Sequence, residues 1–123
     1  MIGKICVSTF PYYDSIKNKK SFKKRPVLVI GGPRNHDYTV LPISSVSRSE
    51  NIDAEFDIKV TPQSHPELQL KKVSYIRVHK QTIVHESDLR GTIADMRTDS
   101  EELYLEIMEK LEIFNASIVE NAL

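Results

Sequence analysis

The sequence has only one cysteine, no long apolar run and no excess of either charge. The single cysteine, Cys6, excludes an internal disulfide framework and a zinc site built from several cysteines. No stretch approaches the roughly 18 apolar residues that a membrane-spanning helix needs. The N-terminus lacks a basic region followed by an apolar one. We therefore expect a cytoplasmic protein with no secretory signal and no membrane partner.

Motifs that carry common chemistries are missing too. The sequence contains no phosphate loop, no dinucleotide-binding fingerprint and no Gly-x-Ser-x-Gly nucleophile elbow. The histidines lack a convincing metal-ligand spacing, so we predict no metal site and no cofactor. Asp53, Glu55 and Asp57 share one face of a predicted strand, and we interpret them as a solvated acidic face rather than a cation site. The length of 123 residues suits one hydrophobic core, which predicts a single domain over residues 1–123.

What is present is an uneven distribution of charge. Residues 1–25 contain seven basic side chains and one acidic one, whereas residues 99–123 contain seven acidic side chains and one basic one. A basic segment beside a neutral core suits a polyanion or an acidic partner. A solvated loop and a solvated helix face are the alternative interpretation.

Apolar patterning predicts a mainly β protein. Alternating or continuous apolar residues predict six short strands, over residues 2–8, 26–30, 38–43, 53–60, 73–81 and 91–94. The continuous run at 26–30 predicts a strand that is buried on both faces. Proline, glycine and lysine place turns at residues 10–14 and 31–33, and loops at residues 14–24 and 61–72.

The period of the apolar residues changes near Thr98 and predicts one helix, at about residues 99–117. Thr98 and Glu101 match a capping box at its start. An apolar stripe follows, made of Leu103, Ile107, Met108, Leu111 and Phe114. We predict a C-terminal α-helix packed on a small, curled antiparallel sheet, with the stripe in the core or at a dimer surface.

The predicted strand at 73–81 carries the side chains that suggest a function. Residues two apart on a strand share a face and lie about 6.6 Å apart. The intervening residues look like core, so Tyr75, Arg77, His79 and Gln81 are predicted to face outward together. An aromatic ring can stack a base, a guanidinium can hold a phosphate and an imidazole can move a proton near neutral pH. This row suits RNA.

RNA can be cut without a metal ion by such groups. A general base takes the proton from a 2′-hydroxyl, the oxygen attacks the adjacent phosphorus, and cationic donors stabilise the developing charge. We predict His79 as the base and Arg77 as the charge stabiliser, because arginine keeps its proton in proteins. Taken alone, an Arg-x-His pair is more often an exposed surface pair, and that alternative stays open.

Three further side chains could contact the same phosphate. Arg25 precedes a buried strand, so its backbone is anchored while its guanidinium reaches a rim; the alternative is a solvated member of the lysine-rich run. Ser44 and Ser45 follow the next predicted strand, where their hydroxyls could bond a phosphate. Ordinary turn chemistry is the alternative for both serines.

Three segments of the chain then stand out as a set. They are Arg-Pro-Val-Leu-Val-Ile at residues 25–30, Leu-Pro-Ile-Ser-Ser at 41–45 and Tyr-Ile-Arg-Val-His-Lys-Gln-Thr-Ile at 75–83. In order and spacing they resemble the MazF/PemK family of toxins, and the resemblance covers nearly the whole chain. It implies a small SH3-like β-barrel with a C-terminal helix, working as a homodimer.

The resemblance also implies a function, that of a toxin in a type II toxin–antitoxin system. Typical members are sequence-specific, metal-independent endoribonucleases that cleave single-stranded mRNA and leave a 2′,3′-cyclic phosphate and a 5′-hydroxyl. A co-produced antitoxin neutralises each of them, and the basic site predicts an acidic antitoxin tail. With this family in view, the expected catalytic residues are Arg25, Arg77, His79, Ser44 and Ser45. The expected RNA-binding residues are Lys19, Lys20, Lys23, Lys24, Tyr75, Lys80 and Gln81.

Three positions depart from the family pattern. His79 stands where PemK-type members have an acid, Lys80 where glutamine is usual, and Thr82 where an arginine is expected. Two other functions therefore stay open. One is a non-enzymatic gyrase inhibitor, like the related CcdB family, with contacts on the C-terminal helix. The other is an inactive barrel that binds nucleic acid or an antitoxin.

Overall fold

A computed structural model describes the backbone of residues 1–123 and the side chains of residues 1–11 and 14–123. The described chain forms the strands β1 (Lys4–Asp14), β2 (Lys19–Arg34), β3 (Asp37–Ser44), β4 (Asp57–Val60), β5 (Ser74–Arg77), β6 (Thr82–His85) and β7 (Leu89–Asp95). The helices α1 (Met96–Asp99) and α2 (Glu101–Ala122) follow. Short 3-10 turns lie at Ser49–Asn51, Pro66–Leu68, Val78–Lys80 and Glu86–Asp88.

The strands form one curled, antiparallel sheet in the order β4-β5-β3-β2-β1-β7. One strand, β3, changes its partner along its length. Its residues 37–40 pair with β6, and its residues 43–44 pair with β5. Because one strand serves two neighbours on the same side, the sheet bends around β3. The mainly β fold with a C-terminal helix, as in MazF/PemK proteins, is confirmed.

Apolar side chains fill both faces of the sheet. Leu28 on β2 is fully buried in the main core beneath α2, whereas Val27 and Val29 belong to a smaller cluster on the opposite face. The expectation that this run is buried on both faces is therefore confirmed. Each such side chain contributes about 1.5–3 kcal/mol through its removal from water.

The helical stripe packs on the sheet as its period predicts. Leu103 and Ile107 are buried in the main core, and Leu111 and Phe114 pack against its edge. The ring of Phe114 meets Phe56 edge to face, with 5.0 Å between centroids. The helix is longer than predicted, because it continues to Ala122 beyond the last core contact.

The predicted capping box is wrong. Thr98 lies inside α1, where it cannot act as the residue that precedes the helix. Asp95 caps α1 instead, since its Oδ1 accepts a hydrogen bond of 3.2 Å from the backbone N–H of Thr98. Ser100 precedes α2, and its hydroxyl donates to Glu67 rather than capping the helix.

The predicted turn at residues 10–14 and the predicted loop at 14–24 are also wrong. These residues form a long β1–β2 hairpin whose turn lies at residues 15–18. Asp14 shapes this turn, because its Oδ1 accepts hydrogen bonds from the backbone N–H groups of Ile16 and Lys17. Beyond Ser8, β1 no longer pairs with β7. Pro11 therefore lies along an edge of the sheet, where its missing N–H is tolerated.

Other strand bounds differ as well. The predicted turn at residues 31–33 is wrong, because β2 continues to Arg34 and the chain reverses at Asn35 and His36. Both have positive φ, 51° and 68°, as a two-residue hairpin turn requires. The strand at Thr82–His85 was not predicted, and β7 exceeds the predicted 91–94.

Candidate active site

A buried ion pair lies where β4 and β5 meet. Asp57 and Arg77 are direct cross-strand partners. Nε of Arg77 donates to Oδ1 of Asp57 and Nη2 donates to Oδ2, each over 3.1 Å. The side chain of Asp57 is 0% exposed and that of Arg77 is 12% exposed. The interpretation of Asp57 as part of a solvated acidic face is therefore wrong, and Arg77 is less exposed than predicted.

The connection between β3 and β4, residues 45–56, explains this burial. The backbone N–H of Asp53 donates to Oδ2 of Asp57 over 2.8 Å, and Nη2 of Arg77 donates to the carbonyl of Asn51 over 2.8 Å. These contacts hold the connection over the ion pair. Strand β4 starts at Asp57 rather than at 53, because Oδ1 of Asp53 accepts from the N–H groups of Glu55 and Phe56 in a turn.

The same turn perturbs its own carboxyl group. The hydrogen bond from the N–H of Phe56 lowers the pKa of Asp53 below the ordinary value of 3.8, although partial desolvation opposes this. The N–H of Glu55 and the electrostatic interactions with His79 and Arg77 lower this pKa further. Asp53 is therefore ionised at neutral pH and adds a negative charge beside the ion pair.

His79 reaches the ion pair because β5 ends early. The strand stops at Arg77, and the chain turns through Val78–Lys80, so the predicted continuation of the strand to 81 is wrong. The turn places Nδ1 of His79 3.6 Å from Oδ1 of Asp57. This nitrogen is buried and has no hydrogen-bond partner among the described residues. The side chain as a whole is 18% exposed.

Arg25 and the two serines lie beside the ion pair, because Arg25 and Arg77 line one cavity, and Ser45 and Arg77 line another. Arg25 is half-buried on β2, and its Nη1 donates to the Ser44 hydroxyl over 3.3 Å. Ser44 ends β3, and Ser45 follows it in an exposed position. Arg25 lies within β2 rather than before it, because the strand starts at Lys19.

Three adjoining cavities run across these residues. The His79 groove, about 510 Å³, is lined by residues that include Ser45, Glu50, Arg77, His79 and Lys80. The lysine groove, about 620 Å³, is lined by residues that include Lys23, Lys24, Arg25, Lys71 and Lys72. Between them lies the arginine cleft, about 280 Å³, whose cations are Lys23, Arg25, Arg77 and Lys80.

Shared residues make these cavities one continuous surface. Arg25 lines both the lysine groove and the arginine cleft, and Arg77 lines both the arginine cleft and the His79 groove. Of the described residues that line the arginine cleft or the lysine groove, none is acidic. The arginine cleft and the lysine groove therefore form a positive surface, which attracts a polyanion. The imidazole of His79 and the guanidinium groups of Arg25 and Arg77 lie along the continuous surface of the three cavities.

The structure brings together some of the predicted site residues and not others. Brought together along the three cavities are Arg25, Ser44, Ser45, Arg77, His79, Lys23, Lys24 and Lys80. Lys19 and Lys20 are exposed near the tip of the β1–β2 hairpin, Tyr75 is half-buried on β5, and Gln81 is exposed after the 3-10 turn. These four do not line the three cavities.

Sequence reasoning missed Asp57, Lys71 and Lys72. The lysines were assigned to a loop, and nothing local indicates that this loop lies beside Arg25. The signal for Asp57 was its alternation with apolar residues, which correctly placed it off the core face. Residues 45–56 cover that face, and the periodicity of apolar residues does not predict their path.

The curled antiparallel sheet with a C-terminal helix is consistent with the fold of MazF/PemK toxins. The sequence model of one protein family, the PemK-like, MazF-like toxins of type II toxin–antitoxin systems, matches residues 3–114. The chain belongs to this family. A comparison with curated proteins gives no match. Membership implies an antitoxin partner. Within the described residues, no helix is both long and apolar enough to cross a membrane.

Proposed function

We propose that this toxin is an endoribonuclease that cuts single-stranded mRNA by attack of a 2′-hydroxyl on the adjacent phosphate. The observation that carries the proposal is the meeting of Arg25 and Arg77 in one cleft, with His79 beside Arg77. PemK-like toxins are generally ribonucleases, which supports the same activity here. The proposed steps use protein side chains and need no metal ion.

The scissile phosphate binds in the arginine cleft. Arg77 uses Nε and Nη2 for Asp57 and Asn51, which leaves Nη1 to donate to a phosphate oxygen. Arg25 uses Nη1 for Ser44, which leaves Nε and Nη2. Two guanidinium groups can then hold one phosphate from two sides, and the flanking lysines hold neighbouring phosphates.

The positions of these groups support a sequence of chemical steps. Nε2 of His79 takes the proton of the 2′-hydroxyl, and the 2′-oxygen forms a bond to phosphorus. The bond from phosphorus to the 5′-oxygen breaks, that oxygen takes a proton from water, and the imidazolium of His79 returns a proton to the hydroxide that is left. The products are a 2′,3′-cyclic phosphate and a 5′-hydroxyl. Arg25 and Arg77 stabilise the charge on the phosphoryl oxygens, an effect worth about 10²–10³ in rate for each donor.

The two serines have separate parts in this proposal. Ser44 accepts the hydrogen bond from Arg25 and so holds that guanidinium toward the cleft. Ser45 is exposed where the lysine groove meets the His79 groove, and its hydroxyl donates to an RNA phosphate. Neither serine acts as a nucleophile.

The proposal includes the assembly and the regulation of the toxin. It is a cytoplasmic homodimer, and an acidic antitoxin tail occupies the arginine cleft. None of the described residues that line this cleft is acidic, which supports the binding of an acidic tail there. Exposed apolar residues on α2, such as Leu105 and Ile113, support a covered helix face.

The test is cleavage of a long single-stranded RNA by purified protein in EDTA. We expect discrete fragments with cyclic-phosphate ends from the wild type, and at least about a 100-fold slower reaction for His79→Ala and for Arg25→Ala. His85→Ala and Arg34→Ala are matched controls, because both residues are exposed and neither lines the three cavities. Intact RNA with the wild type, or undiminished cleavage by both site variants, would contradict the proposal.

A gyrase inhibitor is the second candidate, and the exposed apolar residues near the end of α2 favour it. Its test is removal of residues 116–123. A cut at residue 110 would also remove Leu111 and Phe114, which pack on the core. The ribonuclease proposal expects RNA cleavage to survive the shorter truncation. Loss of toxicity in cells without any loss of RNA cleavage would favour gyrase.

A further inference from the structure

We propose that Asp57 is the positioning residue of this site, and that its carboxylate selects the tautomer of His79 in which Nε2 is free to accept a proton. The same carboxylate fixes the guanidinium of Arg77. The role in catalysis rests on the proposed ribonuclease function. The effect on the tautomer does not, because it follows from the contacts of His79 alone.

The carboxylate of Asp57 is held firmly from several directions. It is 0% exposed and accepts two hydrogen bonds from Arg77 and one from the backbone N–H of Asp53. These three donors come from β5 and from the β3–β4 connection. A carboxylate bonded on both oxygens keeps its orientation, so it presents a fixed negative charge to the group beside Oδ1.

That group is Nδ1 of His79, at 3.6 Å. In a neutral imidazole one ring nitrogen carries the proton and the other carries a lone pair. A lone pair on Nδ1 would face the negative oxygen, whereas an N–H would be attracted to it. Nδ1 is buried without any other described partner, so nothing offsets this preference. The proton therefore stays on Nδ1, and the lone pair is on Nε2.

Other charges near His79 do not reverse this preference. Arg77 is its cationic neighbour from β5, and its Nε and Nη2 hydrogens already point at Asp57. Asp53 and Glu50 come from the connection before β4, and both add negative charge to the His79 groove. Lys80 follows on the same 3-10 turn and is exposed. Together these charges favour the tautomer of His79 whose Nδ1–H faces Asp57.

The arrangement also prepares the ring for the proposed reaction. Once Nε2 has taken the 2′-hydroxyl proton, the imidazolium keeps its Nδ1–H toward the carboxylate. The 3.6 Å contact can then tighten into a charge-assisted hydrogen bond. A carboxylate behind an imidazole sets the ring's tautomer and orientation in this way, without taking the proton itself.

The first test reads the tautomer in the wild type by ¹⁵N NMR of histidine-labelled protein. The spectrum is recorded about two pH units above the ordinary histidine pKa of about 6.5, where imidazoles are neutral. We expect His79 to carry its proton on Nδ1. His85 is the internal contrast, because its Nδ1 accepts a hydrogen bond from the N–H of Ser87 and its proton must be on Nε2. Finding the His79 proton on Nε2 would overturn the inference.

The second test is Asp57→Asn, with Glu55→Gln as a matched control that also changes a carboxylate to an amide. Glu55 is exposed, and its side chain makes no described contact with His79. We expect the asparagine variant to show a mixture of His79 tautomers and a kcat at least about tenfold lower with KM little changed. The glutamine variant should keep the wild-type tautomer and the wild-type kcat. A variant with the wild-type tautomer and kcat would refute the role of Asp57.

The outcomes separate this inference from the proposed function. A wild type that cleaves no RNA would end the ribonuclease proposal, while its spectrum would still decide whether Asp57 sets the tautomer. An Asp57→Asn protein that fails to fold leaves the wild-type spectrum as the deciding result. Cleavage that depends on His79, together with an Nε2 proton in the wild type, would refute the inference and leave the function intact.

Discussion

Arg77 should be as important for the stability of the fold as for any reaction. Arg77→Met removes the charge and keeps most of the length of the side chain. Asp57 then remains fully buried and loses two of its three hydrogen bonds. A buried charge without its partner is costly, because the protein interior solvates it poorly.

The expected loss is about 3–5 kcal/mol in the free energy of unfolding, the range typical of a broken buried ion pair. The entropy of unfolding is about 2.1 cal/mol/K per residue, so for 123 residues each kcal/mol lowers the melting temperature by about 4 °C. A drop of roughly 12–20 °C follows from these values. Domains of this size have about 5–15 kcal/mol in total, so part of the variant could be unfolded at 37 °C.

Urea unfolding and thermal melting, both followed by circular dichroism at one protein concentration, would measure this loss. The double variant Arg77→Met with Asp57→Leu should recover most of the stability, because an apolar pair needs no compensation for buried charge. A single variant that melts within about 4 °C of the wild type, a loss of about 1 kcal/mol, would refute the reasoning. Activity of Arg77 variants should be compared only below their melting temperatures.

Three further predictions follow from the site. Arg25→Ala should slow RNA cleavage by a factor of about 10²–10³, yet lower the free energy of unfolding by no more than about 1.5 kcal/mol, because Arg25 donates one described hydrogen bond. Cleavage assays and urea titrations measure these two effects, with Arg34→Ala as the control. Changing both Lys71 and Lys72 to alanine should weaken RNA binding and reduce the slope of log affinity against log salt concentration by about 0.7 for each lost phosphate contact. Fluorescence anisotropy measures this slope, and equal slopes for variant and wild type would contradict an RNA path along the lysine groove. Because the pKa of Asp53 is lowered in the folded state, its carboxylate stabilises the fold at pH values above the unfolded-state pKa, and this stabilisation is lost as the pH falls through the folded-state pKa. Urea unfolding should therefore show Asp53→Asn to be less stable than the wild type at neutral pH and equally stable in strong acid.

The parts of the fold that were predictable are those set by local periodicity. The run at residues 26–30 indicated a doubly buried strand, and the stripe from Leu103 to Phe114 indicated a helix that packs on the sheet. Burial of these side chains depends on their spacing along one element, so the sequence contains the needed information.

The turns were less predictable, because tertiary context overrode local preference. Pro11 and the lysines after it are typical of a loop, yet they lie in a hairpin. The strand tolerates Pro11 because β7 stops pairing with β1 after Ser8. No local pattern reports where a neighbouring strand ends, so the sequence alone does not predict this hairpin.

The candidate site shows the same limit more clearly. Asp57 and Arg77 were each predicted on the non-core face of their strands, and both do lie off the core. Their pairing requires the β4–β5 register, and their burial requires residues 45–56 to cross over them. Two contacts from this connection, through Asn51 and Asp53, keep the charged pair away from water. The chemistry proposed for His79 therefore depends on a segment that makes no described hydrogen bond to its imidazole, and changes at Asn51 or Asp53 should alter the site without altering any proposed catalytic residue.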